Sequence, residues 1–166
     1  MVAVVSRDDF ITDGDTPGAG WASKADRSFF AQLRSQHDLF VMGARTFDAL
    51  PKNLSTGPVR VVLTKHPEKY SEQEMLGALQ FKSLSPEKFV QDYRDTYASC
   101  LVLGGSQVYT DFLEAGLVDE CYVVQEDQLL KKGTPLFTKN LKLEDFFQHK
   151  QATDLNGSST QLIHYF

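Results

Sequence analysis

Cysteine, excess basic charge and long apolar runs are all scarce in this chain, and each shortage narrows what it can be. Two cysteines, Cys100 and Cys121, occur in 166 residues. Both sit in apolar, strand-like segments, where a pair of buried thiols is favoured over a disulfide or a metal pair. No apolar run approaches the roughly 18 residues of a membrane span, so no membrane role is expected. Met1 to Ser6 has no basic segment ahead of an apolar stretch and does not read as a signal peptide. Lysine and arginine number 17 against 22 acidic residues, a net charge of −5. A nucleic-acid binder normally carries a basic surface, so nucleic acid is not an expected partner. A local basic pocket for an anionic cofactor stays open. Internal repeats, low-complexity tracts and linkers are missing as well. What remains, 42% hydrophobic and 23% charged, is ordinary globular composition. Its length suits one domain over residues 1–166 with a real core. The expectation is a cytoplasmic protein, monomer or homodimer, that acts on a small molecule.

Short β-branched runs alternate with helical patterns. Val2 to Val5, Asp38 to Gly43, Val59 to Thr64, Cys100 to Leu103 and Glu120 to Val124 read as buried strands. Helices are expected from Ser23 to near His37, from Arg45 to Leu50 (closed by Pro51), from Ser85 to about Tyr97, and from Gln107 to Leu113. Ser85-Pro86-Glu87 is a strong start, with proline in the first turn and an acid behind it. Phe146 to Ala152 and Gln161 to Phe166 read as a hairpin joined through Asp154-Leu155-Asn156-Gly157. This pattern predicts an α/β fold: a mostly parallel central sheet, an antiparallel C-terminal hairpin, and flanking helices.

Three strand ends carry groups that suit an anion. Gly104-Gly105 leaves one strand and opens a helix, letting backbone amides approach a phosphate. Gly43-Ala44-Arg45-Thr46 repeats the logic, with Thr46, the amides of residues 44–46 and the Arg45 charge placed for a diphosphate. Thr64-Lys65-His66 is the third. Ligands of open α/β sheets collect in the crevice at such strand ends. A tight turn or a capped helix explains each one separately; three together are harder to set aside.

Asp26 lies one turn into its helix, after Trp21 and beside the apolar Phe29 and Phe30. Ser23-Lys24-Ala25-Asp26 resembles a capping box with Asp26 in the place of the usual Glu or Gln. Two readings stand side by side. Asp26 caps the helix, or it faces a cleft where desolvation raises its pKa into a useful range.

Taken together these segments resemble dihydrofolate reductase and its relatives. Trp21, Asp26 and Phe30 stand at that family's spacing for its tryptophan, pterin-binding acid and stacking phenylalanine. Val41 to Phe47 resembles its cofactor turn, and Val102 to Tyr109 its diglycine motif with the following tyrosine. The order is right along the whole chain. The resemblance implies an NADPH-dependent oxidoreductase that turns dihydrofolate into tetrahydrofolate in one-carbon metabolism, with Asp26, Trp21 and Tyr109 catalytic. Val2, Ala3, Asp26, Phe30, Leu50 and Leu103 would enclose the substrate ring. Val4 and Ile11 would present backbone groups to the nicotinamide. Gly43, Arg45 and Thr46 would hold the diphosphate, and Thr64 with Lys65 the 2′-phosphate. Gly104, Gly105, Gln107, Val108 and Tyr109 would line the phosphate and nicotinamide side. Thr12 to Gly20 would be a lid over the site.

Departures bear on the substrate. Pro58 stands near the place where folate-specific members carry a tail-clamping arginine, leaving Lys52, Arg34 or the shifted Arg60 as substitutes. Val124 replaces the expected threonine. Lys132 to Phe137 and Leu113 to Glu120 are more similar to the pyrimidine reductases of riboflavin biosynthesis, which share the fold but usually lack an acid at the spacing of Asp26. Reduction of a ribosylaminopyrimidine or another heterocyclic substrate is therefore the enzymatic alternative, and non-catalytic nucleotide binding a further one.

Overall fold

A computed structural model describes the chain apart from residues 15, 51–56, 156 and 158. The expectations placed on Pro51, Lys52 and Asn156 fall outside the described residues. Continuous apolar runs need cover on both faces, and the chain supplies it by alternating strand with helix. The order is β1 (Val2–Val5), α1 (Lys24–Arg34), β2 (Leu39–Gly43), α2 (Ala44–Ala49), β3 (Val59–Leu63), β4 (Leu79–Lys82), α3 (Pro86–Tyr93), β5 (Cys100–Val102), α4 (Ser106–Glu114), β6 (Cys121–Gln125), β7 (Lys150–Asp154) and β8 (Gln161–Tyr165). Short 3₁₀ turns lie at Pro67–Gln73 and Leu143–Asp145.

The expected central sheet divides into two four-stranded halves. One runs β4-β3-β2-β5 and is parallel throughout. The other runs β1-β6-β8-β7, with β1 parallel to β6 and the C-terminal hairpin antiparallel. Side-chain alternation along β2 shows how the core is split. Leu39 and Val41 join a cluster with Ala3, Val5, Cys121 and Val123 from the other half-sheet, covered by Phe89 of α3 and Val108, Tyr109, Phe112 and Leu113 of α4. Phe40 and Met42 face the opposite way, into a second cluster with Val2, Leu33 of α1, Phe47, Val62 and Phe81.

Several boundaries differ from those read in the sequence. The third helix stops at Tyr93, short of Tyr97, because the Arg94 amide closes the last turn on Val90 and the chain then turns. The first hairpin strand begins at Lys150 instead of Phe146, since Leu143–Asp145 forms a 3₁₀ turn that carries Phe146 and Phe147 out of the sheet. Strand β4 was not expected at all. It is four residues long, with only Leu79 and Phe81 turned inward. Cys100 and Cys121 are free thiols, the first half-buried and the second buried. No helix among the described residues is long and apolar enough to cross a membrane.

Candidate functional site

The first turn of α1 decides what Asp26 can do. Ser23 is the N-cap, and its hydroxyl accepts the Asp26 N–H at 3.1 Å, as a capping box requires. The return bond is not made by Asp26. The Ser23 amide donates instead to Oε1 of Glu126 at 2.8 Å, just beyond β6. This corrects the capping reading: Asp26 sits in the capping position without the capping task. Asp26 is 8% exposed, and its carboxyl oxygens, which no described residue donates to, keep contact with solvent. Burial first, and then the charge of Glu126, push its pKa from 3.8 up to about 6, with Arg27 opposing.

Part of the expected substrate set shares one apolar cluster, to which α1 contributes Leu33 and Phe30. Val2 belongs to the second cluster, and Phe30, Leu50 and Leu103 form its partly buried fringe. Ala3 is not brought in by its side chain, which points into the other cluster as its neighbour's alternation demands. Trp21 anchors the start of the loop from residue 12 by donating its ring N–H to the Ile11 carbonyl at 3.4 Å. The Ile11 N–H is taken by the Thr134 carbonyl at 2.8 Å. Ile11 therefore has only a spare carbonyl lone pair to present. Val4, half-buried, lies in β1 opposite Val124.

Most of the expected cofactor residues meet at the ends of β2 and β5. The Gly43 amide donates to the Gly104 carbonyl at 2.7 Å. A Cβ on Gly43 would lie 3.2 Å from Val108, one on Gly105 3.3 Å from the Thr46 hydroxyl, and one on Gly104 2.7 Å from the Tyr109 ring. Gly104 also has φ +99°, which an L side chain rarely adopts, and its peptide to Gly105 is cis. Strand ends, helix start and glycine turn therefore form one cradle, with the exposed Arg45 at its rim. Tyr109 supports it from below: its buried hydroxyl donates to the Val2 carbonyl at 2.6 Å, and burial pushes its pKa up strongly. The Gln107 side chain is turned away, its amide bonded to Asp111 at 2.7 Å, so it can offer the cradle only backbone. Thr64 and the exposed Lys65 lie one strand further out, where the Thr64 hydroxyl accepts the His66 amide at 3.2 Å.

Of the tail-clamp substitutes, Arg34 is exposed and lies over the rings of Phe30 and Phe40. Arg60 is 3% exposed and buried on the same side of the sheet, close enough to Arg34 for the two charges to oppose each other. An open hollow of about 450 Å³ on the other flank of α1, lined by Lys24, Phe29, Gln32 and Leu155 among others, contains none of the expected site residues.

Sequence reasoning missed Glu126, and with it Thr160. The signal available was an acid directly following Cys121-Tyr122-Val123-Val124-Gln125, on the face that alternation assigns to Tyr122 and Val124.

The dihydrofolate reductase family model matches residues 1–165. The curated dihydrofolate reductase of Bacillus subtilis (strain 168) is 31% identical over 99 residues, 60% of this chain and 52% of that protein. That of Mycobacterium tuberculosis (strain H37Rv) is 32% identical over 117 residues, 69% of this chain and 62% of that protein. The chain thus spans about half to three fifths of the length of the curated relatives it matches. Among solved structures, a diaminohydroxyphosphoribosylaminopyrimidine deaminase/5-amino-6-(5-phosphoribosylamino)uracil reductase of Thermotoga maritima superposes with TM-score 0.72 at 20% identity. It covers 98% of this chain and 54% of that one. Dihydrofolate reductase of Enterococcus faecalis, complexed with NADP(H) and RAB-propyl, gives 0.69 at 17% identity, covering 99% and 92%. A pyrimidine reductase-like protein of Corynebacterium diphtheriae gives 0.71 at 19%, covering 99% and 89%. At these identities the structural neighbours establish the fold, which dihydrofolate and pyrimidine reductases share.

Proposed function

From the premise that this chain belongs to the dihydrofolate reductase family, we propose that it is an NADPH-dependent reductase of a nitrogen heterocycle, with Asp26 as the group that binds and protonates the ring. The observation that carries the reading is the Asp26 carboxyl itself. It is desolvated, relieved of capping by Glu126, and without a protein donor among the described residues. A ring that offers an amino group beside a ring N–H would supply the missing donors in a paired geometry. A pKa of about 6 lets the carboxyl hold a proton at near-neutral pH and release it to a ring nitrogen.

NADPH would be held at Gly43, Thr46, Gly104 and Gly105, where glycine lets two strand ends and two helix starts pack closely and Arg45 adds charge; when bound it would supply the hydride. Val108 packs the cradle floor, and Thr64 with Lys65 would take the 2′-phosphate. Tyr109 is a support: its proton is committed to Val2 and held more tightly than usual, so it props the glycine turn against β1. Trp21 ties its loop to the Ile11 carbonyl, and a loop held there would limit water at the ring. The two free thiols suit a reducing compartment, in keeping with a cytoplasmic enzyme.

Two substrates divide the finer reading. Dihydrofolate is supported by Asp26 at its spacing from Trp21 and Phe30. A ribosylaminopyrimidine is supported by Pro58 in place of the tail-clamping arginine, by Val124, and by the solved neighbours of that activity. NADPH oxidation followed by absorbance with each compound separates them. Turnover of dihydrofolate selects the first and turnover of the pyrimidine alone selects the second. Binding of NADPH with no turnover of either sinks both. Asp26→Asn keeps the shape and removes the exchangeable proton; its kcat is expected to fall at least about tenfold, roughly 1.4 kcal/mol. A variant as fast as the parent at neutral pH would remove Asp26 from the mechanism.

A further inference from the structure

Glu126 is a buried acid that lies outside the expected site residues. It is 6% exposed. Its amide continues the β1–β6 ladder by donating to the Val5 carbonyl at 2.9 Å, so the side chain keeps the strand's alternation toward α1. Both carboxylate oxygens are held: Oε1 accepts the Ser23 amide and Oε2 the Thr160 hydroxyl, each at 2.8 Å. Ser23 in turn accepts the Asp26 amide. One chain of bonds therefore runs from the residue before β8, through the end of β6, into the first turn of α1, and ends at the site acid.

We propose that Glu126 is a positioning residue for Asp26: it takes over the N-cap amide that Asp26 would otherwise hold, and it sets a negative charge beside the carboxyl that exchanges the proton. The proposal rests on the reading of Asp26 as the proton-bearing group. A Glu or Gln at the third helical position usually reaches back to the N-cap amide. The shorter Asp26 competes for the same amide, and once it bonded there its carboxyl would be both stabilised as the anion and turned from the cleft. Glu126 occupies that amide from just beyond the end of β6. Its negative charge, acting on a largely buried carboxyl, then favours the protonated form of Asp26.

The other groups around Asp26 leave this task to Glu126. Arg27, on α1, acts in the opposite sense, and its guanidinium donates to the Ala22 carbonyl at 2.6 Å. From α4 comes Tyr109, whose hydroxyl stays neutral and bonded to Val2. Strand β1 brings only valine and alanine side chains. Thr160, before β8, is uncharged and donates to Glu126.

Glu126→Gln is the direct test, since it retains an acceptor for Ser23 and places an amide donor before the Thr160 oxygen. With the carboxyl carbons of Asp and Glu labelled with ¹³C, the Asp26 titration is followed by NMR in parent and variant. The midpoint is expected to fall from about 6 by roughly one pH unit, and the pH at which kcat declines is expected to fall with it. A purely structural Glu126 would alter stability and leave both midpoints in place, which overturns the proposal. Should the variant not fold, a second variant decides. There Thr160→Val removes the donor to Oε2 of Glu126; a moved Asp26 midpoint supports the proposal and an unchanged one overturns it. The NMR measurement needs no turnover, so a coupled pair in a protein that reduces nothing counts against the reductase reading alone.

Discussion

A carboxyl close to the start of a helix is usually stabilised as the anion by backbone amides and the helix dipole. At Asp26 burial and the neighbouring Glu126 outweigh both. The consequence is visible in stability as well as in rate. Unfolded, Asp26 titrates near 3.8; folded, near 6. Between those values the folded state binds more protons than the unfolded one, so stability falls as pH rises from about 4 to about 6 and the deficit persists above. A rise of that size separates the two protonation states by about 3 kcal/mol at most. Asp26→Asn carries no such deficit. It is expected to be more stable than the parent at pH 7, by about 1–3 kcal/mol, and to lose that advantage at pH 4. Urea denaturation at the two pH values measures it, and an equal gain at both would show that the charge is not the source. The same titration gives the activity its slope: the rate should decline as pH rises through about 6, because the proton-bearing form of Asp26 is depleted. A rate that climbs through that range would mean that the anion is the working form.

At the scale of elements, the loop that begins at Thr12 is fastened to the segment before Phe137. Thr134 accepts from Ile11 and donates to the Thr12 hydroxyl at 2.9 Å, and the Gly14 amide reaches the Lys132 carbonyl at 3.2 Å. Gly133 lies directly beneath this seam, where a Cβ would fall 2.0 Å from the Thr12 carbonyl oxygen. No rotamer relieves a clash with backbone, so Gly133→Ala must part the two segments. A loss of about 1–3 kcal/mol is expected, together with faster amide exchange at Ile11 and Gly14, read by hydrogen exchange. Unchanged exchange at both amides would mean that the seam tolerates the methyl. None of this was legible in the sequence, because Gly133 and Thr12 are far apart along the chain and neither belongs to a periodic pattern. The strand ends at Gly43 and Gly104 were legible, since glycine at the end of a β-branched run has few other uses. Strand β4 was not: four residues offer too little alternation to stand out from a polar stretch.

For the whole molecule, the two half-sheets share one interior. The cluster around Phe112 takes Val41, Val61 and Val102 from one half and Ala3, Val5, Cys121 and Val123 from the other. Phe112 is 2% exposed. Its replacement by alanine is expected to cost about 3–5 kcal/mol and to lower both halves in one transition, seen by far- and near-ultraviolet circular dichroism during heating. Two separated transitions would show that the halves hold together independently. The amino-acid sequence by itself determined the α/β class, most of the strand and helix order, and the three glycine or polar strand ends. These follow from local periodicity and turn chemistry, which act over a few residues. Only the tertiary structure decided the state of Asp26. Whether an acid in the first turn caps its helix depends on what else reaches the N-cap amide. Here that is Glu126, a hundred residues further along the chain, and charge and burial at such a distance are set by packing.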